Sequence, residues 1–134
     1  MSQFCISFLG GTTLHAAFDF KFGNKYLNLT PQKLQQLQEI FKNVQLVIID
    51  EFSMVGVEML YNIHKRIQEF VIENKKDLFG GRAMMLVGDI LQLPPVQASP
   101  IYAKPRGTQN KVLWLSPDNL WKSFEVVVLS KNFR

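Results

Sequence analysis

Two short apolar runs, separated by a stretch with helical periodicity, constrain the fold of this chain more than any other feature. Residues 45–49 and 83–87 are both rich in aliphatic side chains, which is typical of strands buried on both faces. Between them, apolar residues recur along one helical face: Val57, Leu60, Ile63, Ile67, Phe70 and Val71. Because parallel strands need a crossover connection, this order predicts an α/β fold with three layers and a mostly parallel sheet.

Further elements are predicted on either side of this unit. Thr12 and Thr13 favour the start of a short helix, and Thr30 followed by Pro31 favours the start of a longer one. Residues 117–124 are typical of a further helix, and residues 125–129 of a third strand. On the helix between the two apolar runs, we expect the charged side chains to point away from the apolar face: Lys65, Arg66 and Glu69.

Composition narrows the class of protein without identifying it. The chain has 134 residues, of which 47% are hydrophobic and 19% charged, so we expect one domain, residues 1–134, rather than disorder. No apolar stretch approaches the roughly 18 to 20 residues that span a bilayer, so no membrane partner is expected. Cys5 stands alone and cannot form an internal disulfide. A net charge of +4 is compatible with an anionic partner but does not specify one.

Acidic residues follow both apolar runs at the point where each strand should end. Asp50 and Glu51 come after the first run, and Asp89 comes after the second. Ligands of open parallel sheets bind outside the carboxyl ends of the strands, where carboxylates hold Mg²⁺ beside phosphate oxygens. Adjacent acids divide labour, because one can reach a metal while the other orients a water. Taken alone, the pattern also fits a strand followed by a solvated acidic turn.

Four segments in a fixed order carry a family resemblance. They are GGTTLH at residues 10–15, LVIIDEFSMV at 46–55, GDILQLPPV at 88–96 and LSKNFR at 129–134. Together they resemble the petite-integration-frequency family of superfamily-one DNA helicases, including its relatives in Helitron transposons. The resemblance covers nearly all of the chain. It implies the first RecA-like lobe of a motor that uses ATP and Mg²⁺.

The resemblance also implies roles for individual residues at the nucleotide. Asp50 would lie in the magnesium shell, and Glu51 would be the base for the attacking water. Gln92 would sense the terminal phosphate, and Arg134 would lie against the same phosphate. Asp89 is expected to contribute to the same nucleotide site.

A second set of residues is expected to contact DNA. The residues with this predicted role are Gly11, Thr12, Thr13, His15, Lys104 and Arg106. The first four resemble a family motif whose backbone amides and hydroxyls hold a DNA phosphate, although a turn with a helix cap explains them equally well. The last two lie within residues 90–117, a stretch without acidic residues, which suits contact with single-stranded DNA but also fits a solvated basic loop. His64 is expected to be an ordinary helix residue, and Trp121 a core anchor.

One part of the family pattern is not found among the 134 residues. No G-x-x-x-x-G-K-[ST] phosphate loop occurs, and in the family that loop precedes the region with which this chain begins. We therefore expect a fragment of the lobe that lacks the phosphate-loop strand and hydrolyses little or no ATP alone. In the family, the phosphate-loop strand is expected between the strand that ends at Asp50 and the strand that ends before Asp89. Residues 46–49 and 84–87 are therefore predicted not to pair directly. Whether Phe4, Ile6 and Phe8 fill its place stays open.

Three functions remain from the sequence. The first is an ATP-dependent helicase lobe that moves 5′ to 3′ on single-stranded DNA, opens forks and, by resemblance, serves repair, recombination and telomere maintenance. It would be a monomer of the nucleus, with the mitochondrion as the alternative, and would need the missing segment and a second motor lobe for activity. The second is an inactive, transposon-derived fragment that binds single-stranded DNA or a partner. The third, another P-loop ATPase, is disfavoured by residues 88–95.

Overall fold

Two helices precede a strand–helix–strand unit in the described part of the chain. A computed structural model describes residues 11–21, 26–104 and 120–132. The regular elements are α1 (Leu14–Phe18), α2 (Pro31–Phe41), β1 (Leu46–Ile49), α3 (Val57–Phe70) and β2 (Ala83–Leu86). Single 3-10 turns lie at Phe52–Met54, Leu78–Gly81 and Trp121–Ser123. Residues 4–8, whose place in the sheet the sequence left open, and the start of the predicted helix at 117 lie outside the described residues.

Two threonines begin the first two helices, as predicted. The Thr13 hydroxyl accepts a hydrogen bond from the Ala16 amide at 3.2 Å, and the Thr30 hydroxyl accepts one from the Lys33 amide at 3.3 Å. Each bond satisfies an amide that the helix itself leaves without an acceptor. Pro31 occupies the start of α2, where its fixed φ fits and its missing N–H is not needed.

The two strands pair directly and in parallel, so the prediction that they would not pair is wrong. Leu46 lies opposite Ala83, and Ile49 lies opposite Leu86. The Val87 amide extends the ladder with a 2.8 Å bond to the Ile49 carbonyl. The connection through α3 is the common crossover between neighbouring parallel strands, and direct pairing satisfies backbone groups that burial would otherwise leave without partners. The error lies in the assumed strand order, which placed the phosphate-loop strand between β1 and β2.

The predicted third strand is also absent from the described residues. Residues 124–132 have no regular secondary structure, and the side chains of Val126, Val127, Val128 and Leu129 are between 79% and 88% exposed. A strand forms only where another strand accepts its backbone hydrogen bonds. In the part of the chain that the structure describes, the sheet has two strands, and this is a partial α/β lobe.

Helix α3 buries its predicted apolar face in the centre of the core. Every member of that face is at most 4% exposed. At one end of the core, the rings of Phe18, Phe41 and Phe70 lie within 4.4 to 6.5 Å of one another. Arg66 was predicted to point away from the core, but it is only 1% exposed. Trp121 packs against Phe52, with 6.3 Å between ring centroids, as a core anchor would.

A histidine of α3 anchors the 3-10 turn before β2. The Phe79 amide donates a 3.0 Å hydrogen bond to Nδ1 of His64, which is 4% exposed. Phe79 has a φ of 51°, a left-handed value that few non-glycine residues adopt, and the bond helps to hold it there. Burial, and secondly the charge of Lys65, lower the pKa of His64 to about 4. His64 therefore works as a neutral acceptor inside the fold.

No helix within the described ranges has both the length and the apolar character that a bilayer crossing requires.

Candidate functional site

The carboxyl ends of the two strands meet at one edge of the sheet. Asp50 and Glu51 follow β1 directly, and Asp89 follows β2 after Val87 and Gly88. Beyond the ladder, the Phe52 amide donates a 3.1 Å hydrogen bond to the Val87 carbonyl. This bond joins the turn that carries the first acidic pair to the turn that carries the second acid. The acids predicted from sequence therefore share one rim.

Asp50 and Glu51 form a tight turn directly after β1. Oδ1 of Asp50 accepts a 2.8 Å hydrogen bond from the Glu51 amide. Glu51 has a φ of 52°, in the left-handed region that is uncommon for residues other than glycine. Both side chains are exposed.

Gly88 allows the two turns to approach. Its φ is 145°, and a Cβ built there would lie 3.1 Å from the Phe52 nitrogen and 3.3 Å from the Glu51 Cα. Those neighbours are backbone atoms and cannot rotate away. Only glycine therefore fits between the acid of β2 and the acidic pair of β1 without displacing one of them.

An open cleft of about 510 Å³ lies at this rim. Its walls come from the turn after β1 and the loop after β2: Glu51, Ser53, Met54, Leu91, Gln92, Leu93 and Pro94. Asp89 shapes the second wall, because its Oδ1 accepts from the Leu91 amide at 2.9 Å and its carbonyl accepts from the Gln92 amide at 3.1 Å. The cleft brings Glu51 and Gln92 together, while Asp50 and Asp89 lie beside it on the same rim.

The carboxylates at the rim suit a hard cation that takes most of its ligands from water and substrate phosphates. Among the described residues, no group of three or more His, Cys, Asp or Glu side chains gathers as a metal site. Asp50 would therefore offer a single carboxylate. Mg²⁺ is commonly held in this way, through one or two carboxylates, with waters and substrate phosphates completing its octahedron. The residues present fit a magnesium ion that arrives with a nucleotide.

Four of the predicted DNA residues lie before and within α1. Gly11 and Thr12 are exposed, and the Thr13 hydroxyl is already engaged as the helix cap. The ring of His15 is half-buried and meets the edge of Phe20, with 6.4 Å between centroids. Lys104 is exposed. Arg106 and Arg134 lie outside the described residues, so their predicted roles stay predictions.

Ser53 is a cleft residue that the sequence reading missed. It lies in the 3-10 turn after Glu51 and is 7% exposed. Within the described part of the chain, its hydroxyl has no hydrogen-bond partner. A buried hydroxyl without a hydrogen-bond partner destabilises the fold, so packing alone does not account for a serine at this position. In the sequence, only its place next to the acidic pair could have marked it.

The chain is similar in sequence to proteins of one known family. The family model of the PIF1-like helicases matches residues 5–134. The ATP-dependent DNA helicase RRM3 of Saccharomyces cerevisiae is 31% identical over 131 residues, which are 94% of this chain and 17% of the yeast protein. The chain therefore spans about a sixth of the length of that relative.

Two solved structures of Pif1 from Bacteroides have the same fold. One, in complex with ADP-AlF4, is 30% identical, with a TM-score of 0.57 over 77% of this chain and 22% of that one. Another, bound to single-stranded DNA, is 32% identical, with a TM-score of 0.54 over 66% of this chain and 21% of that one. The sheet in which β1 pairs with β2 therefore belongs to a fold similar to that of these two structures. On the family match and the shared fold together, this chain belongs to the PIF1-like helicase family.

Proposed function

We propose that this chain supplies the first motor lobe of an ATP-dependent DNA helicase that moves 5′ to 3′ on single-stranded DNA and opens forks. The observation that carries the proposal is the shared rim, where direct pairing of β1 with β2 brings Glu51 to the same cleft as Gln92. Hydrolysis at a terminal phosphate needs a base for the attacking water and a polar group that senses the phosphate. We assign these two parts to the Glu51 carboxylate and the Gln92 amide, which line the same cleft.

Four residues have a proposed part in the reaction. Mg–ATP, when bound, supplies the phosphoryl group and the cation that neutralises its developing charge. Asp50 would hold the cation through its carboxylate, and Glu51 would orient a water and take its proton. The Gln92 amide offers both a donor and an acceptor to the terminal phosphate or the water. Arg134 is proposed to stabilise the same phosphate with its guanidinium.

The nucleotide and DNA parts of the proposal have separate support. Pif1 from Bacteroides forms a complex with ADP-AlF4, which supports nucleotide binding at the matching lobe of this family. The same enzyme has been captured with single-stranded DNA, which supports DNA as the partner. In this chain, we propose that Gly11, Thr12, Thr13, His15, Lys104 and Arg106 contact the strand.

We further propose that these 134 residues alone hydrolyse little or no ATP. They contain no G-x-x-x-x-G-K-[ST] segment, whose amides and lysine cradle the phosphates. At about 1.5 to 3 kcal/mol for each charge-assisted hydrogen bond, four such bonds amount to at least about 6 kcal/mol. That is most of the binding energy of a micromolar ligand, near 8 kcal/mol.

A phosphate-release assay tests the hydrolysis statement on the chain itself. We expect turnover at the level of the buffer, with or without single-stranded DNA. The statement is contradicted if the chain turns over ATP at the rate of a motor enzyme and Glu51→Gln abolishes that turnover. Glu39→Gln, on an exposed position of α2, is the matched control for the loss of one carboxylate.

A chimera tests the motor role. In Pif1 from Bacteroides, the region that matches this chain is replaced by residues 11–132, so that the remaining lobe and the phosphate loop come from the host enzyme. We expect ATP hydrolysis that single-stranded DNA stimulates, and a fall of at least about 100-fold on Glu51→Gln. A chimera that binds ADP-AlF4 but does not hydrolyse ATP would count against the proposed lobe function.

A second candidate, an inactive and transposon-derived binding fragment, is favoured by the absence of the phosphate-loop pattern from the 134 residues. The two candidates differ in the chimera, because a remnant that has lost catalytic geometry would not restore hydrolysis. For the helicase candidate, we propose roles in DNA repair, recombination and telomere maintenance, in the nucleus or the mitochondrion. The similarity to the yeast DNA helicase RRM3 supports a place among proteins that act on DNA.

A further inference from the structure

A buried arginine on α3 ties together two segments that lie on either side of residues 22–25. Nη1 of Arg66 donates a 2.7 Å hydrogen bond to Glu69, and Nη2 donates a 2.8 Å bond to the Leu27 carbonyl. Its guanidinium carbon lies 4.6 Å from the ring centroid of Tyr26 and 5.4 Å from that of Phe20. One side chain therefore makes ionic, backbone and aromatic contacts at once. We call Arg66, Glu69, Tyr26 and Phe20 the arginine cluster.

The cluster is closed by a second strong hydrogen bond. The Tyr26 hydroxyl donates to Oε1 of Glu69 at 2.6 Å, so both oxygens of that carboxylate are engaged. Burial, and secondly the bond to Glu69, raise the pKa of Tyr26 above its usual value, which keeps the hydroxyl protonated and able to donate. Each group thus fixes the next, and the arrangement is rigid rather than a loose surface ion pair.

The cluster reaches the predicted DNA segment through one aromatic ring. Phe20 lies under the guanidinium on one side, and its ring meets His15 edge-on at 6.4 Å. The Phe20 amide also donates a 2.9 Å bond to the His15 carbonyl, just after α1 ends. The contacts therefore run from Arg66 through Phe20 to His15, which is a residue proposed to face the DNA strand.

We infer that Arg66 is a positioning residue for single-stranded DNA, because it fixes Phe20 and through it the orientation of His15 and α1. The inference rests on the proposed DNA contact of residues 11–15. Arg66 itself is 1% exposed and lies beneath aromatic rings, so it does not contact the strand. Its part is to order the segment before DNA arrives, so that binding does not pay the entropy of ordering it.

The chemistry of the cluster requires arginine and not only a positive charge. The guanidinium is planar, stacks on aromatic faces and donates in two directions at once. A lysine in its place keeps the charge but cannot reach Glu69 and the Leu27 carbonyl while also covering two rings. Arg66→Lys is therefore a sharp variant, because the net charge and its long-range attraction for DNA stay the same.

The test measures the position of His15 and the affinity for DNA separately. The chain contains two histidines, so the ring protons of His15 and His64 give two assignable NMR signals. We expect Arg66→Lys to move the His15 signal and to weaken binding of a labelled oligothymidylate about fivefold or more, as measured by fluorescence anisotropy with folding checked by circular dichroism. Arg82→Lys, the same exchange at an arginine next to β2, is the matched control and should change neither.

A purely structural role would lower stability without moving these two readouts. Phe20→Leu removes the ring between Arg66 and His15 and leaves the ion pair intact, so it should weaken DNA binding to a similar extent. In a His15→Ala background, Arg66→Lys should cost little further affinity, because its effect passes through that ring.

The outcomes separate this inference from the function on which it rests. A wild-type chain that fails to bind the oligonucleotide contradicts the proposed DNA contact. A wild-type chain that binds, with affinity unchanged in Arg66→Lys and Phe20→Leu or with the His15 signal unmoved, overturns the positioning role alone.

Discussion

The arginine cluster and the acidic rim are built in opposite ways. In the cluster, Arg66 is buried and stacked on aromatic rings, and it is joined at 2.7 Å to the partly exposed Glu69. At the rim, Asp50 and Glu51 are exposed, and backbone bonds join the two turns that carry the acids. The cluster therefore contributes to stability through its side chains, whereas the rim leaves the Glu51 side chain exposed to a ligand and takes much of its shape from backbone bonds.

This difference predicts how each region responds to substitution. The Glu51 side chain is replaceable without loss of the fold, because the φ angle of Glu51 and the close approach of Gly88 set the backbone geometry of the turn. The Arg66 side chain is not, because its removal leaves Glu69 and the Leu27 carbonyl without their donor. Stability measurements on matched variants test this difference.

The largest effect is expected for Arg66→Met. The change leaves the Leu27 carbonyl without its donor and Glu69 without its cation, and we expect the free energy of unfolding to fall by about 4 kcal/mol. Urea denaturation measures it. Glu51→Gln, at the exposed rim, should leave the urea midpoint unchanged. Equal losses in the two variants would show that the rim is not built as described.

The next largest effect is a loss of stability in acid that comes from His64. Its pKa is about 4 in the fold and about 6.5 in an unfolded chain, so the unfolded state binds more protons between these values. Stability from this group is therefore complete above about pH 6.5 and falls as the pH drops towards 4, by about 3 kcal/mol in all. Urea denaturation at several pH values measures the loss.

The control for this pH dependence is His64→Gln, which offers an acceptor to the Phe79 amide but does not titrate. Carboxylates contribute equally to both proteins, so the difference between their stability curves isolates His64. Parallel curves between pH 7 and pH 4 would contradict a buried neutral histidine.

A smaller effect is expected for Gly88→Ala, which tests the backbone construction of the rim. The added Cβ would meet backbone atoms of Phe52 and Glu51 at a φ of 145°, and we expect a loss of about 2 kcal/mol. Gly81→Ala is the matched control, because its nearest neighbours are atoms of the flexible Asn74 side chain. Thermal unfolding that ranks Gly81→Ala as the more damaging change would place the strain elsewhere.

Sequence alone could predict the elements whose cause is local. The caps at Thr13 and Thr30, the apolar face of α3 and the acids after both strands all follow from patterns within a few residues. Three features do not follow from local patterns, because each depends on partners distant in the chain. They are the pairing of β1 with β2, the lack of a strand at residues 125–129 in the described part of the chain, and the burial of Arg66. Leu27 lies 39 residues from Arg66. The one local signal for the cluster was the spacing of Arg66 and Glu69, which also fits an ordinary surface pair.

The smallest effect has the opposite sign and comes from Ser53 in the cleft. Its buried hydroxyl has no partner among the described residues, so Ser53→Ala removes an unpaired polar group and should raise the free energy of unfolding by up to about 1 kcal/mol. Ser123→Ala is the control, because that hydroxyl donates a 2.7 Å bond to the Leu120 carbonyl and its loss should destabilise the chain by a similar amount. Urea denaturation compares the two. A gain at Ser53 would show that the cleft keeps a polar group at the expense of stability, whereas a loss at both serines would mean that Ser53 is satisfied within the fold.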